Sequence, residues 1–355
     1  MDTRQELEPL LNADLLERSL EKALDKGGEF AEIFVEDRKG MSAVLDDGRV
    51  EELTSGRSRG AGIRVIVGET TGFAHTADLT ARGIEAAVDS AAAAARSGNS
   101  ENKSVKLGTE NKNSSTVQMF PSMVEKSKKV ALLTQANEIA RSQKEEIAQV
   151  SVGYGDSRRR IQVANTDGLL ASDDQIRTSF SVSCVAAGDT GLQTGRESVG
   201  HTIGFELFDE IDVEEIARKA SQRAVTKLGA VPAPSGEMTV VVGPGGGGVL
   251  FHEACGHGLE ADLVGKSASV FAGRRGEMVA DPMVTLIDDG TMSGEWGCYA
   301  IDDEGHPAQR NVLIDKGELT DYMWDYLRAR KEGRPSSGNG RRQSYEHLPM
   351  VRMTN

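Results

Sequence analysis

Two histidines and a glutamate lie within six consecutive residues, HEACGH at 252–257. Neutral imidazole nitrogens bind divalent metals, and an adjacent carboxylate can take the proton of a metal-bound water, which is how zinc hydrolases divide the work. The residue types therefore predict a hydrolytic metal site in which His252 and His257 bind the metal and Glu253 is the general base.

The spacing of the two histidines is wider than in an ordinary helical metal motif. Residues four positions apart lie about 40° from each other around a helix, whereas residues five apart are separated by roughly 140°. His252 and His257 can therefore share one ion only if the helix widens or ends between them. Gly256 and Gly258 are the residue type that permits a π-type turn. The sequence thus predicts a distorted helix here.

The apolar pattern of residues 1–230 predicts an N-terminal α+β domain, an antiparallel sheet flanked by helices. Helices are expected at 12–26, 80–96, 122–144 and 209–228. Strands are expected at 31–36, 42–47, 62–68, 71–77, 148–154, 159–165 and 175–188. Turns are expected at Asp47-Gly48 and Thr166-Asp167-Gly168. Because the order helix, strands, helix occurs twice, we expect an internal duplication that packs two sheets or one long sheet.

A second domain is predicted at 237–355, after a boundary in the proline-containing segment 230–237. It is expected to be mostly β and to carry the HEACGH helix. Its strands are predicted at 238–245, a buried strand, and at 283–290, 298–305, 311–319 and 348–355. Within the first domain, the polar stretch at about 97–117 predicts a surface loop, since it offers few side chains to bury.

Composition narrows the class of protein. The 355 residues carry 55 acidic and 41 basic side chains, a net charge of −14, and a field of that sign repels phosphate backbones, so we expect no direct nucleic-acid binding. Three cysteines do not form a disulfide framework and suit a reducing cytoplasm. Neither a signal peptide nor an apolar run of about 18 residues is present, so we expect no membrane association.

Two segments, PGGGGVLFHEACGHGLEADLV at 244–264 and SGNGRRQSYEHLPMVRMTN at 337–355, resemble the TldD/PmbA family of metallopeptidases, on the TldD side that carries HExxxH. The resemblance implies an α+β N-terminal domain, a β-rich C-terminal domain, and a cytosolic peptidase with one zinc per active site that acts on unstructured or modified peptides. It also implies a PmbA/TldE-type partner subunit without the motif, with a homodimer as the alternative. His252 and His257 match the family's metal ligands and Glu253 its general base.

The chain departs from the family pattern at the third metal ligand. In the family this ligand is a cysteine in a glycine-rich C-terminal segment, and this sequence ends at Asn355 before such a segment. We therefore expect a truncated, incomplete metallopeptidase domain that binds zinc weakly and lacks activity. The candidates for a substitute third ligand are Cys255, Cys298, His306, Glu260 and Asp262.

Other polar residues have weaker predictions. Arg341, Arg342 and His347 are candidates for contacts with a peptide carboxylate or carbonyl, and a solvated turn is the alternative for them. The acidic run 302–304 predicts an exposed hairpin end rather than a second metal site.

The preferred hypothesis is a zinc peptidase that holds extended substrates along a strand edge by main-chain hydrogen bonds. The first alternative is a non-catalytic peptide-binding or regulatory subunit of a TldD/PmbA-type complex. A thiol hydrolase that uses Cys255 or Cys298 is the second alternative.

Overall fold

A seven-stranded sheet with helices on one face forms the first two thirds of the chain. The computed structural model describes residues 8–25, 27–95, 104–113 and 116–355. The α-helices are α1 (Ala13–Asp25), α2 (Ala81–Ala94), α3 (Lys126–Ser142), α4 (Leu207–Glu210), α5 (Val213–Leu228), α6 (Gly246–Phe251), α7 (Ala261–Gly265) and α8 (Tyr326–Lys331). Among the described residues, no helix has the length and apolar character needed to cross a bilayer.

The strands of the large sheet are β1 (Phe30–Asp46), β2 (Arg49–Val67), β3 (Thr70–Thr76), β4 (Asn111–Asn113), β5 (Ile147–Asn165), β6 (Leu170–Gly188) and β7 (Gly191–His201). Their order is β3-β2-β1-β5-β6-β4, with β7 also paired to β6. All pairs are antiparallel except β4 with β6. The β1–β2 turn is at Asp47-Gly48, where both residues have positive φ, 47° and 78°, as a tight hairpin turn requires.

The predicted duplication is visible in the order of elements. The first unit is α1-β1-β2-β3-α2, the second is α3-β5-β6-β7-α5, and one continuous sheet forms where β1 pairs with β5. Both units place their helices on the same face of this sheet, because Ile33 and Ala43 of β1 have the same parity and belong to the two helix-packed cores.

Two of the predicted strand boundaries are wrong. Segments 31–36 and 42–47 form the single strand β1, and segments 148–154 and 159–165 form the single strand β5. The charged residues between them stay in the ladder, with Arg38 directly opposite Arg159. The charged residues therefore do not end these strands, although the sequence pattern predicts that they do. Strand β7 is not among the predicted strands.

The polar stretch 97–117 is not entirely a surface loop. Residues 111–113 form β4 against β6, and Val105 and Leu107 are buried in the core beside α1. The backbone N–H groups of both residues donate to glutamates of α1. The surface-loop prediction is wrong for Val105, Leu107 and 111–113, while 104, 106, 108 and 109 are exposed and outside any strand or helix; residues 97–103 and 114–115 lie outside the described residues.

The last third has short strands: β8 (Leu286–Asp289), β9 (Arg310–Asp315), β10 (Glu318–Leu319), β11 (Gly340–Arg341) and β12 (Met350–Val351). They form a three-stranded sheet in the order β10-β9-β8 and the β11-β12 pair. The buried strand predicted at 238–245 is absent, and Val241 is 94% exposed. The strand predicted at 298–305 is reduced to one bridge between Ile301 and Pro307.

The last third packs on the sheet face opposite the helices. Along the start of β1, Ile33 and Val35 point into the helix core, whereas Phe34 packs with Ile301 and Tyr345 of the last third. All residues from 30 to 37 are therefore buried. This docking positions the helical segment that carries HEACGH relative to the sheet.

Candidate metal centre

A widened turn interrupts the helix at the HEACGH motif. Helix α6 runs into a π turn over His252–Gly256, and a 3₁₀ turn follows over His257–Leu259. The N–H of His257 donates to the carbonyl of His252, five residues earlier. The extra residue in this turn rotates His257 back toward His252, as the spacing of the motif requires.

The π turn brings the two imidazoles together. Their ring centroids are 4.8 Å apart and their planes are nearly perpendicular, at 88°. Oε2 of Glu253 is 3.8 Å from Nε2 of His257. One ligand atom from each of the three residues lies within 4.8 Å of the other two. A divalent cation therefore fits between two nitrogen donors and a carboxylate.

Glycine matters in this turn because it has no side chain, and not because its backbone can adopt unusual dihedral angles. Gly256 has φ −56° and ψ −52°, ordinary right-handed helical values that any residue adopts. A Cβ at this position would collide with Sδ of Met353, and a Cβ at Gly258 would lie 2.9 Å from the ring of Phe271. The predicted widened turn is present, but its backbone does not use the conformational freedom of glycine, and close packing is what requires glycine at these two positions.

The carboxylate of Glu260 contacts the imidazole of His257. Nδ1 of His257 lies 3.2 Å from Oε1 of Glu260, and Nη1 of Arg352 lies 3.1 Å from Oε2. Burial raises the pKa of Glu260, and Arg352 and His257 act in the opposite direction. With Glu260 ionised, Nδ1–H of His257 donates to it, which leaves the lone pair of Nε2 free for a metal.

The candidate third ligands do not join the two histidines. Among the described residues, the metal-ligand group contains only His252, Glu253 and His257. The others have different surroundings: Cys255 packs against the core of the last third, Cys298 is buried, His306 stacks on Tyr326, and Asp262 accepts from the N–H of Leu263. Burial also raises the pKa of the Cys255 thiol, which disfavours the thiolate that a thiol hydrolase needs.

A cleft of about 1070 Å³ lies beside the histidines. His252 and Glu253 line it, together with apolar side chains that include Phe251, Met283 and Trp296. Strand β8, at the edge of its sheet, contributes residues 286–288 to the wall. The candidate metal-binding group therefore borders a largely apolar space with an edge strand in its wall.

The structure does not bring Arg341, Arg342 and His347 to this cleft. Arg342 is buried, its guanidinium pairs with Glu32 of β1, and it donates 2.8 Å to the carbonyl of His347. Nδ1 of His347 is 2.9 Å from Oγ of Ser344. Arg341 lines a separate small cavity. The solvated turn suggested as their alternative is wrong for Arg342.

The acidic run 302–304 is not an exposed hairpin end. Its three side chains are at most 1% exposed. Asp303 pairs with Nη1 of Arg159 at 2.7 Å, and Glu304 pairs with Nη2 of Arg64 at 2.8 Å. We call these ion pairs, together with those of Glu32, Glu36 and Arg342, the arginine–carboxylate seam. The exposure prediction failed because the basic partners are on distant strands.

Three family models match the chain. They are described as PmbA/TldA metallopeptidase domain 1, central domain and C-terminal domain, and they match residues 31–95, 121–228 and 235–355 respectively.

Curated relatives and solved structures agree with these matches. The chain is 36% identical over 335 residues to a metalloprotease TldD homolog of Haemophilus influenzae, covering 92% of this chain and 69% of the relative. It is 35% identical over 364 residues to that of Buchnera aphidicola, covering 98% and 74%. TldE from Thermococcus kodakarensis has a similar fold, with a TM-score of 0.75 at 21% identity, covering 96% of this chain and 76% of the other. So does a proposed modulator of a DNA gyrase from Thermotoga maritima, with a TM-score of 0.76 at 21% identity, covering 94% and 75%.

Proposed function

Because the chain belongs to the PmbA/TldD metallopeptidase family, we propose that it is a zinc-dependent peptidase in which Glu253 is the general base. Its substrates in this proposal are unstructured or modified peptides. His252 and His257 are the zinc ligands, with one zinc per active site.

The π turn at His252–Gly256 supports this proposal most strongly. A regular helix would hold the two rings on different sides, roughly 140° apart. The π turn instead places their centroids 4.8 Å apart, with the carboxylate of Glu253 next to them. π turns inside α-helices are rare and are frequently found at functional sites, which favours a functional role for this turn.

The two imidazole nitrogens fit zinc, which binds histidine nitrogen at sites of this kind, and they leave the adjacent carboxylate of Glu253 for proton transfer. When bound, zinc polarises a carbonyl and lowers the pKa of a water molecule. Glu253, whose side chain is 67% exposed, faces the open side of the group and takes up the proton of the attacking water. It then returns the proton to the leaving amine.

The substrate is proposed to lie along β8. Residues 286–288 of this edge strand line the cleft next to Glu253, and an extended peptide added to an edge is held through its main chain. Such binding reads little of the side-chain sequence. It therefore suits unfolded segments with broad selectivity.

Zinc affinity is expected to be low in this chain by itself. Catalytic zinc sites typically have three protein ligands, and in the part of the chain that the structure describes the only other ligand-type residue grouped with the two histidines is Glu253, which this proposal assigns as the base and not as a ligand. We expect weak zinc binding and low activity for the 355-residue chain. Tight, stoichiometric zinc in equilibrium dialysis would contradict this expectation.

A non-catalytic peptide-binding or regulatory subunit remains the second candidate, and the small number of ligands favours it. We propose a PmbA/TldE-type partner subunit, or a second copy of the chain, and a cytoplasmic location. A zinc-loaded protein that bound peptides without releasing fragments would support the non-catalytic alternative.

Substitution Glu253→Ala tests the mechanism. At zinc concentrations that load the site, we expect peptide cleavage to fall by about 10²–10⁴-fold, the usual contribution of a general base. Zinc content and melting temperature should stay unchanged, because the side chain is exposed. The exposed Glu332, at the end of α8, is the matched control as Glu332→Ala. Undiminished cleavage by Glu253→Ala would rule out the proposed role.

A further inference from the structure

A second, smaller cavity lies on the sheet face covered by the last third, apart from the cleft of the metal centre. It has a volume of about 90 Å³, and its floor is formed by β1, β5 and β6. Five arginines line it, Arg38, Arg159, Arg177, Arg341 and Arg342, and the described residues of its lining include no acidic side chain. In a chain with a net charge of −14, this is a local concentration of positive charge.

The strand register places like charges directly opposite each other. Arg38 of β1 faces Arg159 of β5, and Arg159 in turn faces Gln175 of β6. Like charges at directly opposed positions destabilise a sheet. An anion held between them would remove this repulsion.

The carboxylates of the arginine–carboxylate seam neutralise only some of these arginines. Arg342 pairs with Glu32, Arg159 pairs with Glu36 and Asp303, and Nε of Arg341 lies 3.6 Å from Oδ2 of Asp303. Arg177 instead donates from Nε to the carbonyl of Trp296, at 3.0 Å. In the described part of the chain, neither Arg38 nor Arg177 forms an ion pair. Burial, Arg341 and Arg159 lower the pKa of Arg177 to about 10, and the nearby Asp303 offsets this effect only in part.

Two buried polar atoms of the lining residues have no hydrogen-bond partner. They are Nη2 of Arg159, a donor, and Oε1 of Gln175, an acceptor. Both residues are more than nine-tenths buried. Buried polar groups are nearly always paired, and a group bound in this cavity can accept from Arg159 and donate to Gln175.

From the register, the unneutralised arginines and these two atoms, we propose that the cavity binds a phosphate group, either free hydrogen phosphate or the terminal group of a small phosphorylated molecule. Its oxygens accept from Arg38, Arg159, Arg177 and Arg341. When the ligand is free hydrogen phosphate, its hydroxyl donates to Oε1 of Gln175. The cavity volume of about 90 Å³ is sufficient for a phosphate group.

Thermal unfolding with inorganic phosphate tests this site. At constant ionic strength and pH 7, phosphate in place of chloride should raise the melting temperature of the 355-residue protein in a saturable way, since a ligand that binds only the folded state stabilises it. Arg38→Gln and Arg177→Gln should each abolish the shift. Arg82→Gln, on the exposed face of α2, should keep the full shift. Arg38 and Arg177 make no ion pair in the described part of the chain, so these variants are expected to fold.

Two further ligands test whether the bound group donates to Gln175 and whether it belongs to free phosphate or to a phosphorylated molecule. Sulfate, which carries no proton at pH 7, should give a smaller shift than phosphate, and an equal shift would overturn the donation to Gln175. Phosphoserine that shifted the melting temperature at lower concentration than inorganic phosphate would assign the ligand to a phosphorylated molecule, and the reverse order would assign it to free phosphate. No phosphate-specific shift in the unmodified protein, or equal shifts in all variants, would overturn the proposal.

Discussion

The metal centre and the arginine–carboxylate seam differ in how their residues are assembled. The metal centre comes from six consecutive residues and opens to solvent. The seam joins residues up to 310 positions apart, as in the pair between Arg342 and Glu32, and its side chains are buried. One local turn determines the first arrangement. The second exists only when the last third docks on the sheet.

This difference predicts which substitutions affect chemistry and which affect folding. An exposed side chain contributes little to the free energy of unfolding, whereas a buried ion that loses its partner is costly. We therefore expect metal-centre variants to stay folded and seam variants to unfold without a direct effect on zinc.

The largest effect is expected from Arg342→Ala. It removes one of the two arginines that pair with the buried Glu32 and leaves only Arg64, 3.0 Å away. The free energy of unfolding should fall by about 3–5 kcal/mol, the usual cost of breaking a buried pair. Urea denaturation measures this change.

The matched control is the exposed pair of Lys22 and Asp89, 2.8 Å apart. Lys22→Ala should cost at most about 1 kcal/mol. If Arg342→Ala and Lys22→Ala lowered the free energy of unfolding equally, the seam would contribute no more to stability than an ordinary surface pair.

A smaller effect is expected from Glu260→Gln. This substitution removes the charge that orients His257 but leaves both histidines in place. Zinc affinity should fall by about 10–100-fold, as for other residues that hold a metal ligand in position. Zinc titration measures the change, and Asp262→Asn, two residues further on, should have no effect. If Glu260→Gln bound zinc as well as the original protein, Glu260 would have no positioning role.

The smallest effect is expected from Val241→Ser near the metal centre. Because Val241 is 94% exposed, the free energy of unfolding should change by less than about 0.5 kcal/mol. Val35→Ser in β1, where the valine is fully buried, should cost several times more. Differential scanning calorimetry compares the two. A large loss for Val241→Ser would mean that segment 238–245 is buried, as the sequence predicts.

The contrast between residues assembled by one local turn and residues assembled from distant segments explains which features the sequence predicts well. The spacing of the HEACGH motif predicts that the helix widens or ends between the two histidines, and the structure contains a π turn at His252–Gly256. The hairpin at Asp47-Gly48 and the repeated order of elements also follow from local patterns. In each case the information lies within a few neighbouring residues or in the repeat of a pattern.

The seam and the exposed valines could not be predicted in this way. An acidic run such as 302–304 is ordinarily solvated, and nothing nearby in the sequence indicates that Arg64 and Arg159 cover it. The β-branched run at 238–245 is typical of a buried strand, but strand formation also needs a partner strand, which local composition does not specify. The close packing at Gly256 could not be predicted either, because the side chain that contacts it, Met353, is nearly a hundred residues away in the sequence.

Whether His252 and His257 bind one ion is tested most directly by zinc titration of His252→Ala, His257→Ala and the double variant, with unfolding followed in parallel. If both rings share one zinc, each single variant should lose nearly as much affinity as the double variant, because the second ligand has no independent site. Losses that add independently, or a single variant that keeps the original affinity, would contradict the shared site.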